Sequence, residues 1–216
     1  MPFRIIYILE SPSPQDFLMD RNEVRTLTRL LELAEIRMVP ITVVDSESLK
    51  KTIAAIVELI KTEAHEPIIH FSTHGDESGI ALTSGYIKWK ALRNELTPIA
   101  EASRSKMLVC MSACFGIKAI QMAYTDGQEV FEDLVGPIDK VSWADSAIAF
   151  ACFYNSFLVK NLSLKESVKR MNQAGCFEKP VFGAVAGIDV RVQYTQDAPE
   201  RMLRKFQSLM NGQKTQ

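Results

Sequence analysis

Two stretches decide the fold of this chain: Pro67-Ile68-Ile69-His70-Phe71-Ser72-Thr73-His74-Gly75 and Met107-Leu108-Val109-Cys110-Met111-Ser112-Ala113-Cys114-Phe115-Gly116. Each is a short apolar run that passes into polar or reactive residues and then glycine. Each also lies between segments with helical spacing. Runs of that kind read as buried strands of a parallel sheet. In such sheets ligands and chemistry gather beyond the carboxyl ends of the strands. His74 and Cys114 both fall there. If the two strands are neighbours, an imidazole and a thiol share one rim, the outline of a cysteine–histidine nucleophilic pair.

Working outward, residues 3–9 form a strand candidate rich in Ile and Tyr. It is stopped by Glu10-Ser11-Pro12-Ser13-Pro14, a loop on the same rim as the proposed site. Residues 22–35 have helical spacing, and residues 38–44 read as a second strand. Asp45 or Ser46 caps a helix through about Thr62, with Ile53, Ile56, Val57 and Ile60 as its buried stripe. After His74 a small hairpin is expected from residues 80–82 and 86–87. A helix from Trp89 to Ala102 follows, which Pro98 should end or kink. Residues 106–111 lead into Cys114, then a short helix over 117–122 and an interrupted strand over 130–138. An apolar helix opens at Ser142-Trp143-Ala144-Asp145 and reaches about Val159. Ser163-Leu164-Lys165-Glu166 fits a capping box for another helix through Met171. Residues 181–188 form a last strand, residues 199–210 an amphipathic helix, and the end a polar tail. This alternation, without repeats or linkers, predicts one α/β domain over residues 1–211, a mostly parallel sheet flanked by helices, with residues 212–216 as the tail.

The 216 residues are enough to bury a core without staples. At 47% hydrophobic, 24% charged and net charge −1, the balance gives no electrostatic reason to expect nucleic acid or an anionic membrane as a partner. The start lacks the apolar core and cleavage site of a signal peptide, and no segment approaches a membrane span. Cysteines at 110, 114, 152 and 176 do not form a zinc pattern and suit free thiols in a cytoplasmic protein. No phosphate-binding glycine loop is present, and no metal or cofactor is expected.

Thiol chemistry needs a nucleophile, a proton donor for the leaving amine and donors for the oxyanion. Cys114 follows a strand, Ala113 leaves room, and Gly116 permits a tight turn. A helix beginning just beyond it would favour the thiolate. His74 would protonate the departing nitrogen, and the N–H groups of Gly75 and Cys114 are candidate oxyanion donors. Taken singly, Cys114 reads as readily as a buried inert cysteine, and His74 as a loop residue. Cys110 is expected in the core, His70 as a hydrogen-bonded core histidine, and His65 on the surface near a helix end.

An apolar strand into His74-Gly75, a hairpin and helix, then an apolar strand into Ser112-Ala113-Cys114-Phe115-Gly116 together resemble the caspase-like clan of cysteine peptidases. The likeness is closest to its bacterial CHAT branch. Val141-Ser142-Trp143-Ala144-Asp145, the later Phe153-Tyr154, and Ser163-Leu164-Lys165-Glu166-Ser167-Val168 resemble that branch too. The resemblance implies a caspase-like sandwich and a His74–Cys114 dyad, with the oxyanion hole at Gly75 and Cys114. It also implies peptide-bond cleavage after a selected P1 side chain without a cofactor.

A caspase needs arginine in its S1 pocket to bind a P1 aspartate, and the matching stretches offer none. Asp145, and Asp76 beside Glu77, stand there instead, so a carboxylate in S1 would favour a basic P1 residue. Asp145 reads equally well as a helix N-cap, and Trp143 as either an S2 wall or core. Resembling proteins act in bacterial defence or cell death, where a sensor triggers the protease and a gasdermin-like protein is its substrate. A bare domain therefore implies a separate activator, self-cleavage or assembly. The alternatives from other classes are a catalytically silent caspase-like scaffold and a receiver-like regulatory domain.

Overall fold

A computed structural model describes residues 3–125, 127–198 and 200. Among the described residues are eight strands and seven α-helices: β1 (Arg4–Ser11), α1 (Pro14–Leu18), α2 (Glu23–Leu33), β2 (Met38–Thr42), α3 (Ser46–Glu63), β3 (Glu66–Thr73), β4 (Gly79–Leu82), β5 (Gly85–Lys88), α4 (Trp89–Ala102), β6 (Leu108–Ser112), β7 (Asp133–Pro137), α5 (Trp143–Tyr154), α6 (Leu164–Ala174), β8 (Phe182–Ala186) and α7 (Gly187–Gln196). Six strands form one sheet in the order β2-β1-β3-β6-β7-β8; β4 and β5 form a separate hairpin. Only β8 runs antiparallel to its neighbour in the large sheet. The protein is thus an α/β sandwich with a mostly parallel central sheet, as the alternation predicts.

The continuous apolar runs are explained by burial on both faces. In β1, Ile5, Tyr7 and Leu9 point to one side and join α3 and α4 through Ile53, Ile56, Leu92 and Leu96. Ile6 and Ile8 point to the other and join α2, α5 and α6 through Leu27, Phe150, Phe153 and Met171. Helix starts follow from their caps. Asn22 accepts from Arg25 N–H, Asp45 from Ser48 N–H, and Ser163 from Glu166 N–H. The Glu166 carboxylate turns to Arg170 instead of closing the box.

Several boundaries differ from expectation. Pro98 does not end α4, which runs on to Ala102. Leu92, Leu96, Ile99 and Ala100 are buried against the sheet on both sides of the proline, and that burial outweighs the missing N–H. α5 stops at Tyr154 and continues as a π-helical turn over Asn155–Val159. The segment after Cys114 is a 3-10 helix, Gly116–Ala123, entered through Phe115 at φ 57°. His65 is not a surface residue. It is 5% exposed, and its Nε2 pairs with the Tyr7 hydroxyl at 2.9 Å. The amphipathic helix expected over 199–210 and the tail after it lie outside the described residues, apart from Glu200.

The topology has one switch point near the site. From β1 the chain passes over the α2 face to β2, whereas from β3 it passes over the α4 face to β6. The connections diverge between β1 and β3, the switch point of the sheet, and the ends of β3 and β6 lie beside it.

Candidate active site

β3 and β6 are direct neighbours, in register from Ile68 against Leu108 to Ser72 against Ser112. His74 and Cys114 each lie two residues beyond that last pair. Both line a cleft of about 570 Å³ at the strand ends, together with Arg21, Thr73, Ser112, Ala113, Val141, Ser142, Trp143, Ala144 and Ser146.

The two loops touch back to back at Gly75. A Cβ there would stand 2.9 Å from the Cys114 carbonyl oxygen and 3.0 Å from Ala113 Cβ, so only glycine permits the approach. Gly116 is under the same constraint, since its Cβ would stand 2.6 Å from Met111 Cβ. Gly75 bridges Ile80 of the hairpin, but the hydrogen bonds there run from Ala81 N–H to His74 O and from Asp76 N–H to Gly79 O. The Gly75 N–H takes no part in that pairing. In the turn after β6, the donors are Phe115 N–H to Asp139 O and Gly116 N–H to Ala113 O. Neither bond uses the Cys114 N–H.

His74 is 47% exposed along its side chain, open to a substrate. Its Nε2 lies 2.7 Å from Oδ2 of Asp16. The Asp16 side chain is 2% exposed and held at the N3 position of α1 by a reciprocal capping box with Ser13. Burial opposes its ionisation. Hydrogen bonds from the Ser13 hydroxyl, from His74 and from the Ser13 N–H more than offset this, so the carboxyl sits below its ordinary value. Nδ1 is the ring nitrogen that the bond to Asp16 leaves unused. Trp143 meets the imidazole edge to face, with ring centroids 5.4 Å apart. Cys114 is half-buried, and its thiol donates to the Val141 carbonyl at 3.6 Å.

The acidic residues fall elsewhere. Asp76 accepts from the Tyr86 hydroxyl and from the N–H groups of Ser78 and Gly79, which commits it to closing the hairpin loop. Asp145 is not the N-cap of α5. That position is Ser142, whose hydroxyl donates to the Asp145 carboxylate at 2.7 Å and accepts from its N–H. Neither carboxylate lines the cleft, whereas Arg21 does. Its guanidinium stands 3.8 Å from Asp16 Oδ1 and is 49% exposed.

Of the other candidates, Cys110 is fully buried and its thiol is pushed up to about 12 by burial, as suits a core residue. His70 is also fully buried, with Nδ1 2.8 Å from the Tyr154 hydroxyl. Among the described residues no three His, Cys, Asp or Glu side chains gather as a metal site, and no helix is long and apolar enough to cross a membrane.

Sequence reasoning missed Asp16 and Arg21. The local signal for Asp16 was present, because Ser13-Pro14-Gln15-Asp16 has the form of a capped helix start in the loop after β1. Nothing local to Arg21 marks it. No protein-family model matches the chain, and no curated protein matches it either.

Proposed function

We propose that this protein is a caspase-like cysteine endopeptidase. The observation that carries the reading is the exposed imidazole of His74, lining one cleft with Cys114 and held from behind by the buried Asp16 carboxylate. In this reading Cys114 Sγ attacks the scissile carbonyl carbon, and the carbonyl oxygen becomes an oxyanion facing the N–H groups of Gly75 and Cys114. Protonated at Nδ1, His74 gives that proton to the departing amine as the C–N bond breaks, leaving a thioester on Cys114. Water then adds to the thioester, with His74 taking its proton, and the carboxylic acid leaves as the thiol is restored. Asp16 keeps the ring turned and stabilises its charged form.

The cleft lining changes the expected substrate. Among the described residues its lining contains no Asp or Glu, and Arg21 is its one Lys or Arg. That charge favours an acidic side chain over the basic P1 residue suggested by Asp145 and Asp76. Kinship with the CHAT branch, a separate activator and a role in defence belong to the same proposal and rest on the motifs.

The test is cleavage of a peptide library varied at P1 by the wild type, Cys114→Ala, His74→Ala and Arg21→Ala. Cleavage after acidic residues is expected, abolished by the first two changes and weakened about tenfold or more by the third. Cleavage after basic residues would refute the role of Arg21. A Cys114 thiol that neither cleaves peptides nor reacts with alkylating reagents in a His74-dependent way would refute the peptidase and favour a silent scaffold.

A further inference from the structure

Beneath the cleft floor lies a carboxyl group that the proposed reaction does not use. Glu23 opens α2 and its side chain is fully buried. One oxygen, Oε2, accepts from the Ser72 hydroxyl at 2.7 Å and from the Ser112 hydroxyl at 2.6 Å. These serines are the last register pair of β3 and β6. Each stands two residues before a reactive side chain, Ser72 before His74 and Ser112 before Cys114. Ser112 Oγ is also 2.6 Å from Ser146 Oγ. With the Ser112 proton donated to Glu23, Ser146 is the donor to Ser112. Ser146 lies on α5, three residues beyond Trp143, which packs on the His74 ring. A single oxygen atom therefore links both strand ends and the wall of the cleft.

Stability does not account for this arrangement. The second oxygen, Oε1, has no hydrogen-bond partner, and neither has His70 Nε2, which lies 3.9 Å from Oε2. Among the described residues no lysine or arginine forms an ion pair with Glu23. Burying a carboxyl group on neutral hydroxyls with one oxygen unpaired carries a desolvation cost that an apolar side chain avoids. What an apolar side chain could not do is pull two hydroxyls on adjacent strands toward one point.

We infer that Glu23 is a positioning residue. Its carboxyl group fixes the spacing of the β3 and β6 ends so that His74 and Cys114 face each other across the cleft, and through Ser112 and Ser146 it sets Trp143 against His74. The inference rests on the peptidase reading, so its test uses a readout that needs no peptide substrate: the rate at which iodoacetamide alkylates Cys114 in the full chain. Peptide mapping separates that site from the other three cysteines, and thermal unfolding is measured alongside.

Glu23→Leu should lower the unfolding midpoint, because it leaves the buried Ser72 and Ser112 hydroxyls without their acceptor, and its alkylation is read well below that midpoint. It should slow Cys114 alkylation by about tenfold to a hundredfold, toward the His74→Ala rate. Glu23→Gln keeps an acceptor oxygen and should stay within about threefold of the wild type. A folded Glu23→Leu that reacts at the wild-type rate would overturn the proposal. Should that variant not fold, the Ser72→Ala/Ser112→Ala pair removes the two donors and is judged by the same rate: slowed alkylation supports the role, and the wild-type rate overturns it. Wild-type alkylation indifferent to His74→Ala would sink the dyad and this proposal together. Failure of the Glu23 role alone leaves that His74 dependence intact.

Discussion

Glu10→Gln should change how the stability of this protein depends on pH. Glu10 is 8% exposed near the carboxyl end of β1, in register with Thr42 on one side and Ser72 on the other. Burial raises its carboxyl; a hydrogen bond from the Val24 N–H lowers it, and the nearby Glu23 raises it again. The result is a value of about 7 against an ordinary 4.5. The folded state therefore holds the proton more tightly than the unfolded chain. Between those two values the native protein is protonated where the unfolded chain is not, so unfolding free energy falls as pH rises. The stabilisation is fully present below about pH 4.5 and lost as pH passes about 7. By linkage the whole displacement corresponds to about 3 kcal/mol. Glutamine keeps an acceptor for Val24 and does not titrate. Urea unfolding at pH 5 and pH 8 should show the wild type losing about 2–3 kcal/mol relative to the variant. Parallel curves across that range would refute the assignment of a buried, proton-binding Glu10.

Two further changes probe the cleft itself. Asp16→Asn removes a charge-assisted hydrogen bond to His74, so kcat/KM should fall about tenfold to a hundredfold with the fold intact, and an unchanged value would remove Asp16 from the machinery. Because the Asp16 carboxyl is held below its ordinary 3.8, the stability it contributes is full above that value and fades as pH falls through the depressed one, which acid unfolding of wild type and variant would show. Gly75→Ala places a methyl group 2.9 Å from the Cys114 carbonyl oxygen and should destabilise the protein by about 1–3 kcal/mol while lowering kcat more than KM, measured by denaturation and steady-state kinetics.

What the sequence disclosed was local, and what it withheld was not. The strands around His70 and Cys110, the caps at Asp45 and Ser163, and the small hairpin follow from periodicity and side-chain chemistry within a few residues. The placement of His74 and Cys114 on one rim followed once β3 and β6 were read as buried strands. Asp16 stands 58 residues from His74 and meets it only because β1 and β3 are neighbours. Arg21 enters the cleft through the same adjacency. Asp145 misled because a carboxylate at N3 and one at the N-cap look alike in sequence, and the hydroxyl three residues earlier won the cap. His65 was misplaced for a comparable reason, since its partner Tyr7 lies on a distant strand.

The order in which the cleft's parts leave the ribosome has a consequence of its own. Asp16 emerges first, then His74, then Cys114, and only after them Trp143 and Ser146 on α5. β1 cannot complete its pairing until β3 has been made, and β3 waits for β6. Until α5 docks, the Ser112–Ser146 bond is unmade and the wall from Val141 to Trp143 is missing. A half-synthesised chain thus carries a thiol and an imidazole but no assembled cleft. The assembled cleft is thus a property of the finished sheet with α5 docked on it, not of any shorter stretch that holds both side chains.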